Sequence, residues 1–273
     1  MLTIDPERAS VARRGTRRGW RSRSATIALA ELLVAAVGYL AYSLSCGAVH
    51  AHQALAFQNA GRVVGLERSL GLLVEQRLQA PVLSHTLVLQ FWNAVYMWGH
   101  LPLVIAVALW LFAFHRSEYR VIRNAVLISG GLALLVFYAF PLAPPRLVPS
   151  LHLVDTAAMI TPVYDTVEPK VFFNPYAAMP SMHIGWDLLM GIGLLWCARY
   201  RAVKWVGALL PLAMLVAVVV TGNHYVVDGI AGAAAGAAGL AAAFGLERLA
   251  FGHGITAASS ARSAPKSPRY QAG

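Results

Sequence analysis

The sequence predicts an all-α integral membrane protein with six transmembrane helices. Hydrophobic residues make up 58% of its 273 residues and charged residues only 12%, whereas a water-soluble domain carries about a quarter charged residues. The mean hydropathy is +0.59. A chain with so few charges cannot cover a water-facing surface, so the composition excludes a soluble fold.

Six apolar runs are the candidate spans, because a helix crosses the hydrocarbon core with about 20 apolar residues. They cover residues 25–46, 81–115, 124–141, 183–197, 205–220 and 225–246. The second run would form about 50 Å of helix, so it is either one tilted helix or a helix broken near His100 and Pro102. Both alternatives count as one crossing.

The basic residues predict the orientation, because short cytoplasmic segments of membrane proteins carry the excess of Arg and Lys. With both termini in the cytoplasm, the inner segments hold 17 basic residues and the outer segments five. We therefore expect a multi-pass protein of the plasma membrane. The net charge of +10 reflects this membrane orientation and does not indicate nucleic-acid binding. Arg far outnumbers Lys, which together with abundant Ala indicates a GC-rich bacterial genome.

Three regions follow from this pattern. Residues 1–24 form a basic cytoplasmic segment, residues 25–250 the membrane domain, and residues 251–273 a small, polar cytoplasmic tail that is predicted to be disordered. Between the first two spans, residues 63–78 mix apolar with charged residues at helical spacing. This predicts an amphipathic helix on the outer surface, with a plain connector as the alternative.

Unusual polar residues concentrate where outer loops meet the membrane. Residues 142–180 form a long Pro-rich loop, and loops of this length are usually functional or disordered. Three polar segments lie at the outer ends of spans: residues 144–146, 174–183 and 221–229. We expect them to converge on one pocket at the membrane interface.

The residue types in these segments suit phosphoryl transfer. His224 and Asp228 are four residues apart and share a helix face, so the carboxylate can fix one imidazole nitrogen and leave the other as a nucleophile. His183 opens the fourth span, where free backbone N–H groups attract an anion. Arg146 offers a guanidinium fork for phosphate oxygens. Such a scheme runs through a phosphohistidine and needs neither a metal nor a cofactor, and two cysteines cannot build a thiolate metal site.

Three stretches carry a family resemblance: APPR, NPYAAMPSMHIGW and TGNHYVVDGIAG, within residues 93–236. They resemble the three motifs of the type 2 phosphatidic acid phosphatase superfamily, and above all its branch of inositol phosphorylceramide synthases. The resemblance implies a six-helix core in which His224 attacks phosphorus and Asp228 orients it. It further implies that His183 protonates the leaving group, while Arg146 and the backbone amide of Ser181 hold the phosphoryl oxygens.

The chain departs from the superfamily pattern at two usual phosphate-binding positions. Ala139 replaces a lysine of the first motif, and Ala217 and Val218 replace Ser-Arg of the third. The synthase-like branch shares this reduced pattern, so a generic phosphatidic acid phosphatase is disfavoured. Lys170 is a candidate replacement for one lost cation.

For each of the other polar residues, the sequence allows two interpretations. Asn174, Tyr176 and Asn223 either contact the head group or simply make turns. Asp187 either tunes the proton affinity of His183 or pairs with another helix. A further set shares one face of the second span, where it either lines the lipid cavity or bonds between helices: Asn93, Tyr96 and His100.

The predicted function is transfer of a phospho-head group on a membrane lipid, with an inositol-type head group as one candidate. A lipid phosphate or polyprenyl diphosphate phosphatase is the alternative enzyme. A non-catalytic lipid-binding or transport protein is the alternative outside enzymes. The expected partners are a lipid substrate and the bilayer, not nucleic acid or metal, and the sequence leaves the oligomeric state open.

Overall fold

The computed structural model describes residues 26–38, 40–41, 53–156, 159 and 174–262. The described residues form nine α-helices: Thr26–Gly38 (α1), Gln53–Leu70 (α2), Glu75–Leu83 (α3), Thr86–Trp98 (α4), Leu101–Phe114 (α5), Arg116–Ala139 (α6), Met182–Cys197 (α7), Arg201–Val220 (α8) and Val226–Arg262 (α9). Two short 3₁₀ turns, Pro145–Leu147 and Pro149–Leu151, follow α6. The all-α prediction is confirmed.

Three helices, α6, α8 and α9, are long and apolar enough to cross a membrane, and α4 with α5 forms a fourth unit bent by 45°. The helices α1 and α7 are apolar but shorter. The run 81–115 is therefore broken, at Gly99 and His100, where Pro102 in the first turn of α5 favours a new helix start. The structure thus contains the broken helix, one of the two alternatives that the apolar pattern left open.

The helix α7 is the centre of the bundle. It packs against α5, α6, α8 and α9, and glycines allow the closest of these approaches. A Cβ built on Gly232 of α9 would lie 2.0 Å from the carbonyl oxygen of Ser181, and one on Gly191 of α7 would lie 2.3 Å from that of Gly207. The small-residue face of α9 is thus a packing surface against the start of α7.

We expect Gly232→Ala to damage both stability and activity, because its methyl group would push α9 away from the backbone that precedes His183. Overpacking of this kind costs about 1–3 kcal/mol. Thermal unfolding in detergent and turnover should both fall. The matched control is Gly245→Ala on the same helix, where an added Cβ meets nothing within 4 Å; equal behaviour of the two variants would contradict the packing role.

The predicted amphipathic helix over residues 63–78 is wrong in extent. Helix α2 ends at Leu70, where Gly71 adopts φ +70° and the N–H of Leu72 bonds the carbonyl of Glu67 at 2.8 Å, a glycine-terminated helix end. Its inner face buries Glu67 completely, while Leu66 and Leu70 are 47% and 59% exposed. The buried face keeps helical spacing but includes the polar residues Asn59 and Glu67, so apolar character alone does not identify it.

The predicted C-terminal tail differs in part from the structure, and the predicted N-terminal segment lies outside the described residues. Helix α9 continues to Arg262, into the tail predicted to be disordered, because Ala-rich sequence favours helix. Residues 1–24 and 263–273 lie outside the described residues. Glu31, which had no predicted role, accepts hydrogen bonds from Tyr119 and Arg123 and so joins α1 to α6.

The described parts of the long loop between α6 and α7 contact helices α2 and α3. Its first part packs on α2, with the side-chain amide of Asn59 donating to the carbonyl of Pro141 at 2.9 Å. Leu142 pairs with the segment before α7, accepting from the N–H of Ala178 and donating to the carbonyl of Tyr176. Gln79 of α3 holds the same loop through Val154. These bonds bring the three motif segments together.

Candidate active site

His224 lies in the short loop between α8 and α9 and is 6% exposed. Its Nδ1 is 2.8 Å from the carbonyl oxygen of Ala178. A carbonyl only accepts, so Nδ1 carries the proton and Nε2 keeps a free lone pair. The main-chain oxygen of Ala178, which sequence reasoning did not single out, therefore selects the tautomer that a nucleophile needs.

Burial lowers the pKa of His224 to about 3, and the nearby positive charge of Arg146 acts in the same direction. The hydrogen bond to Ala178 opposes this shift but does not cancel it. His224 is consequently neutral throughout the physiological pH range. A neutral imidazole with a free Nε2 can attack an electrophile without first losing a proton.

Asp228 lies on the first turn of α9 and is fully buried. Its Oδ2 is 3.5 Å from Nδ1 of His224 and accepts the backbone N–H of Tyr225 at 3.0 Å. The predicted pairing of the two side chains is present as a charge contact, while the short hydrogen bond of Nδ1 goes to Ala178 instead. The carboxylate is thus placed to stabilise positive charge that develops on the imidazole.

His183 stands at the start of α7, directly opposite His224. Its Nδ1 is 3.2 Å from Nε2 of His224. The ring also stacks on Tyr96, with ring centroids 5.0 Å apart, and lies against the ring of His100 at 4.4 Å. The structure therefore brings the two predicted catalytic histidines into direct contact and fixes the orientation of the second.

His100 is the site residue whose role sequence reasoning left undecided. Its Nδ1 is 3.0 Å from Oδ1 of Asp187, which is fully buried one turn after His183. Asp187 is therefore connected to His183 through the ring of His100. The signal in the sequence that could have identified His100 as a site residue was its position at the break between two apolar helices. Of its neighbours on that face, Asn93 accepts a bond from Thr156 and so serves packing.

Arg146 is held in place from three sides. Its backbone N–H donates to the carbonyl of Gly222 at 3.0 Å, Nη1 donates to the side-chain oxygen of Asn223, and Nε lies 2.9 Å from a carboxylate oxygen of Asp155. Gly222 adopts φ +74°, and a Cβ there would come within 3.2 Å of the Arg146 side chain. Asn223 thus positions the arginine, and Asp155 occupies its guanidinium in the way an anionic ligand would.

The other predicted contacts have mixed outcomes. The Ser181 amide donates to the carbonyl of Asp228 at 3.0 Å, so it is not free for a phosphoryl oxygen; its buried hydroxyl has no partner within the described part of the chain. Asn174 bonds the N–H of Tyr176, and Tyr176 packs edge-on to Phe57. Both therefore build the loop. Lys170 lies outside the described residues.

One group of potential metal ligands occurs among the described residues, formed by His115, Glu118 and Cys197 with ligand atoms within 4.8 Å of one another. Cys197 ends α7 whereas His183 begins it, and these 14 residues of helix span about 21 Å. The group is therefore remote from the histidine pair and takes no part in its chemistry.

The described residues form an all-helical bundle with helices long and apolar enough to cross a membrane, and they place His183, His224 and Asp228 together. The profile of the PAP2 superfamily matches residues 61–242, two thirds of the sequence. The chain belongs to this superfamily and is an enzyme of the lipid phosphatase and phosphotransferase kind.

Among solved structures, the chain is similar to the crystal structure of Aquifex aeolicus LpxE, with 16% sequence identity and a TM-score of 0.45. The match covers 59% of this chain and 87% of that one. No curated protein sequence matches the chain.

Proposed function

We propose that the protein transfers a phospho-head group between membrane lipids through a phosphohistidine on His224, without a metal ion. The observation that carries the proposal is the opposed histidine pair: Nε2 of His224 has no proton and lies 3.2 Å from Nδ1 of His183. A nucleophile and an acid–base group are thus already aligned on one reaction centre.

In the first step, the Nε2 lone pair of His224 forms a bond to phosphorus, and the bond from phosphorus to the lipid alcohol breaks. His183, in its imidazolium form, gives a proton to the departing alkoxide and becomes neutral. The imidazole ring, now substituted at Nε2 and protonated at Nδ1, carries positive charge. The carbonyl of Ala178 at 2.8 Å and the carboxylate of Asp228 at 3.5 Å lie where they stabilise that charge.

Arg146 binds the phosphoryl oxygens in this scheme. Its guanidinium is only 11% exposed and already pairs with an acid, Asp155, whose side chain is 40% exposed. A phosphate is a stronger bidentate partner for arginine than a partly solvated carboxylate. Substrate binding therefore displaces Asp155, while Asn223 keeps the guanidinium aimed at the histidine pair.

In the second step, an acceptor attacks the phosphohistidine and the N–P bond breaks. His183, now unprotonated, takes the acceptor's proton. An alcohol acceptor gives a new phospholipid, whereas water releases the phosphorylated head group, or free phosphate when the substrate is a lipid phosphate monoester. We favour the alcohol because the motifs resemble the inositol phosphorylceramide synthase branch, which makes an inositol-type head group a candidate; the same site supports a lipid phosphate or polyprenyl diphosphate phosphatase when water attacks.

We further propose six membrane crossings, made by the bent pair α4–α5, by α6, α8 and α9, and by the shorter apolar helices α1 and α7. The excess of arginine near one set of helix ends supports two cytoplasmic termini in a bacterial plasma membrane. The histidine pair then lies at the outer membrane interface, where lipid head groups are accessible.

The decisive assay uses the purified full-length protein in detergent with EDTA. The panel is phosphatidic acid, phosphatidylinositol with and without ceramide, and polyprenyl diphosphate, with free phosphate and new lipid species followed together. A new phospholipid without phosphate release establishes transfer. Stoichiometric phosphate release establishes the phosphatase, and activity that survives in His224→Ala contradicts the mechanism.

We expect His100→Ala to lower kcat about 10-fold or more, as loss of an orienting partner usually does, with little change in KM. Removing the ring frees His183 to rotate and leaves buried Asp187 without its partner. His100→Asn, which keeps a donor for Asp187, should recover part of kcat. Exposed His85 provides the control variant His85→Ala; if His100→Ala has the same kcat as that control, the orienting role is wrong.

A further inference from the structure

A pair of buried glutamates lies behind the catalytic histidine, on the two helices that precede the bent membrane pair. Glu67 of α2 is 0% exposed and Glu75 at the start of α3 is 1% exposed. Acidic side chains are almost never buried this completely unless they are paired. The proposed chemistry at His224 and His183 uses neither of them.

Glu67 contacts the start of the catalytic helix directly. Its Oε1 accepts the backbone N–H of Val227 at 2.8 Å, one of the N–H groups that a helix start leaves without a partner of its own. Asp228 accepts the N–H of Tyr225 nearby at 3.0 Å. Two carboxyl groups thus hold the backbone that carries Asp228 and follows His224.

The second oxygen of Glu67 and both oxygens of Glu75 have no hydrogen-bond donor among the described residues. Burial raises the pKa of Glu67 to about 8, and the neighbouring carboxyl of Glu75 raises it further. Two adjacent carboxyls in an apolar interior cannot both ionise, so they share a proton. The shared proton supplies the donor that the oxygens otherwise lack.

We propose that Glu67 and Glu75 are positioning residues for the nucleophile, a carboxyl pair that shares one proton and anchors the first turn of α9. The proposal rests on the proposed function, because its purpose is to hold Asp228 and His224 in their reactive geometry. It also gives α2 a role: the helix predicted to lie on the surface inserts an acidic side chain beneath the active site.

A proton fits this pair better than a metal cation. Within the described residues, Glu67, Glu75 and Asp228 do not form a group with ligand atoms inside 4.8 Å, so they cannot jointly coordinate an ion. The titratable groups that face Glu67 are Glu75 from α3, Asp228 from α9 and Tyr225 from the intervening loop. None of the three supplies a positive charge.

The pair predicts a definite pH dependence. Folded Glu67 keeps its proton up to a pH of about 8, whereas its ordinary pKa is 4.5. The stability from this proton is complete below pH 4.5 and is lost as the pH rises through about 8. Above that pH a second negative charge appears beside Asp228, so kcat should fall on the alkaline side.

The experiment compares Glu67→Gln, Glu67→Ala and the matched control Glu247→Gln at the far end of α9. Glu67→Gln keeps the acceptor for Val227 and cannot ionise, so we expect kcat within about 3-fold of wild type and no alkaline fall from this pair. Glu67→Ala should lower kcat about 10–100-fold with KM nearly unchanged. The assay uses whichever lipid of the panel the wild type converts.

Infrared spectroscopy and thermal unfolding test the pair without reference to activity. The infrared difference between wild type and Glu67→Gln should contain a protonated carboxylic acid band at pH 7, and the wild-type Tm should fall between pH 5 and 8 more steeply than that of Glu67→Gln. If wild type converts no lipid but the band is present, the proposed function fails and the shared proton stands. A wild type without the band, an unchanged pH profile in Glu67→Gln, or Tm raised by Ca²⁺ or Na⁺ in wild type alone would overturn the proposal.

Discussion

Replacing His224 with alanine is expected to abolish turnover, lowering kcat at least about 10⁴-fold, since variants without a catalytic nucleophile or its base lose activity on this scale. The reason is geometric as well as chemical. Nδ1 is fixed by Ala178 at 2.8 Å, so Nε2 is the reactive nitrogen. His183 contacts this nitrogen at 3.2 Å and serves as the acid–base group in the proposed mechanism, so it does not replace the nucleophile.

The measurement is covalent trapping with a ³²P-labelled lipid phosphate, followed by rapid quenching. Wild type should yield a phosphoenzyme that is stable in base and labile in acid, as a phosphorus–nitrogen bond requires, and His224→Ala should yield none. His85→Ala is the control, because His85 is exposed and remote from the motifs. Label retained in His224→Ala would place the intermediate on another residue and refute the assignment.

The second large effect is expected for His183→Ala, whose kcat on a natural lipid should fall about 10²–10⁴-fold, the usual contribution of general acid–base catalysis. An alkoxide leaves poorly without a proton, and His183 is the group that faces the reacting nitrogen at 3.2 Å. The defect should depend on the leaving group. A nitrophenyl phosphate ester leaves without protonation, so its first step should be nearly normal.

The matching measurement is a stopped-flow assay with the nitrophenyl ester. His183→Ala should release about one equivalent of nitrophenol and then stall, because the phosphohistidine waits for a base that is missing. His224→Ala should release none. If His183→Ala is equally impaired on lipid and on nitrophenyl ester, its role is structural, and the stacking on Tyr96 would then be the more relevant contact.

The membrane architecture was largely predictable because apolar content and helix length are local properties of the sequence. The runs that became α6, α8 and α9 were recognised from composition alone. The break at His100 was one of two alternatives for its run, since a proline near a helix start permits but does not require a kink. The extent of α2 was predicted wrongly, and the burial of Glu67 was not foreseen, because a charged residue type indicates a surface position until tertiary packing buries it.

For the active site, the residue types and their spacing identified His183, His224 and Asp228, and the structure brings these three together. Their partners were harder to foresee. The carbonyl of Ala178 has no signature in the sequence, since every residue carries one. The contact between His100 and Asp187 joins residues 87 positions apart across two helices, a distance over which helical periodicity carries no information.

What the sequence by itself determined is the class of protein: few charges and long apolar runs leave a helical membrane bundle, and three short motifs indicate phosphoryl chemistry. Only the tertiary structure decided which polar groups meet. It gave the Ser181 amide to Asp228, the tautomer of His224 to Ala178, and the Val227 amide to the buried carboxyl of Glu67. The physical reason is that a buried polar group must find its partner wherever packing places one, and packing depends on the whole chain.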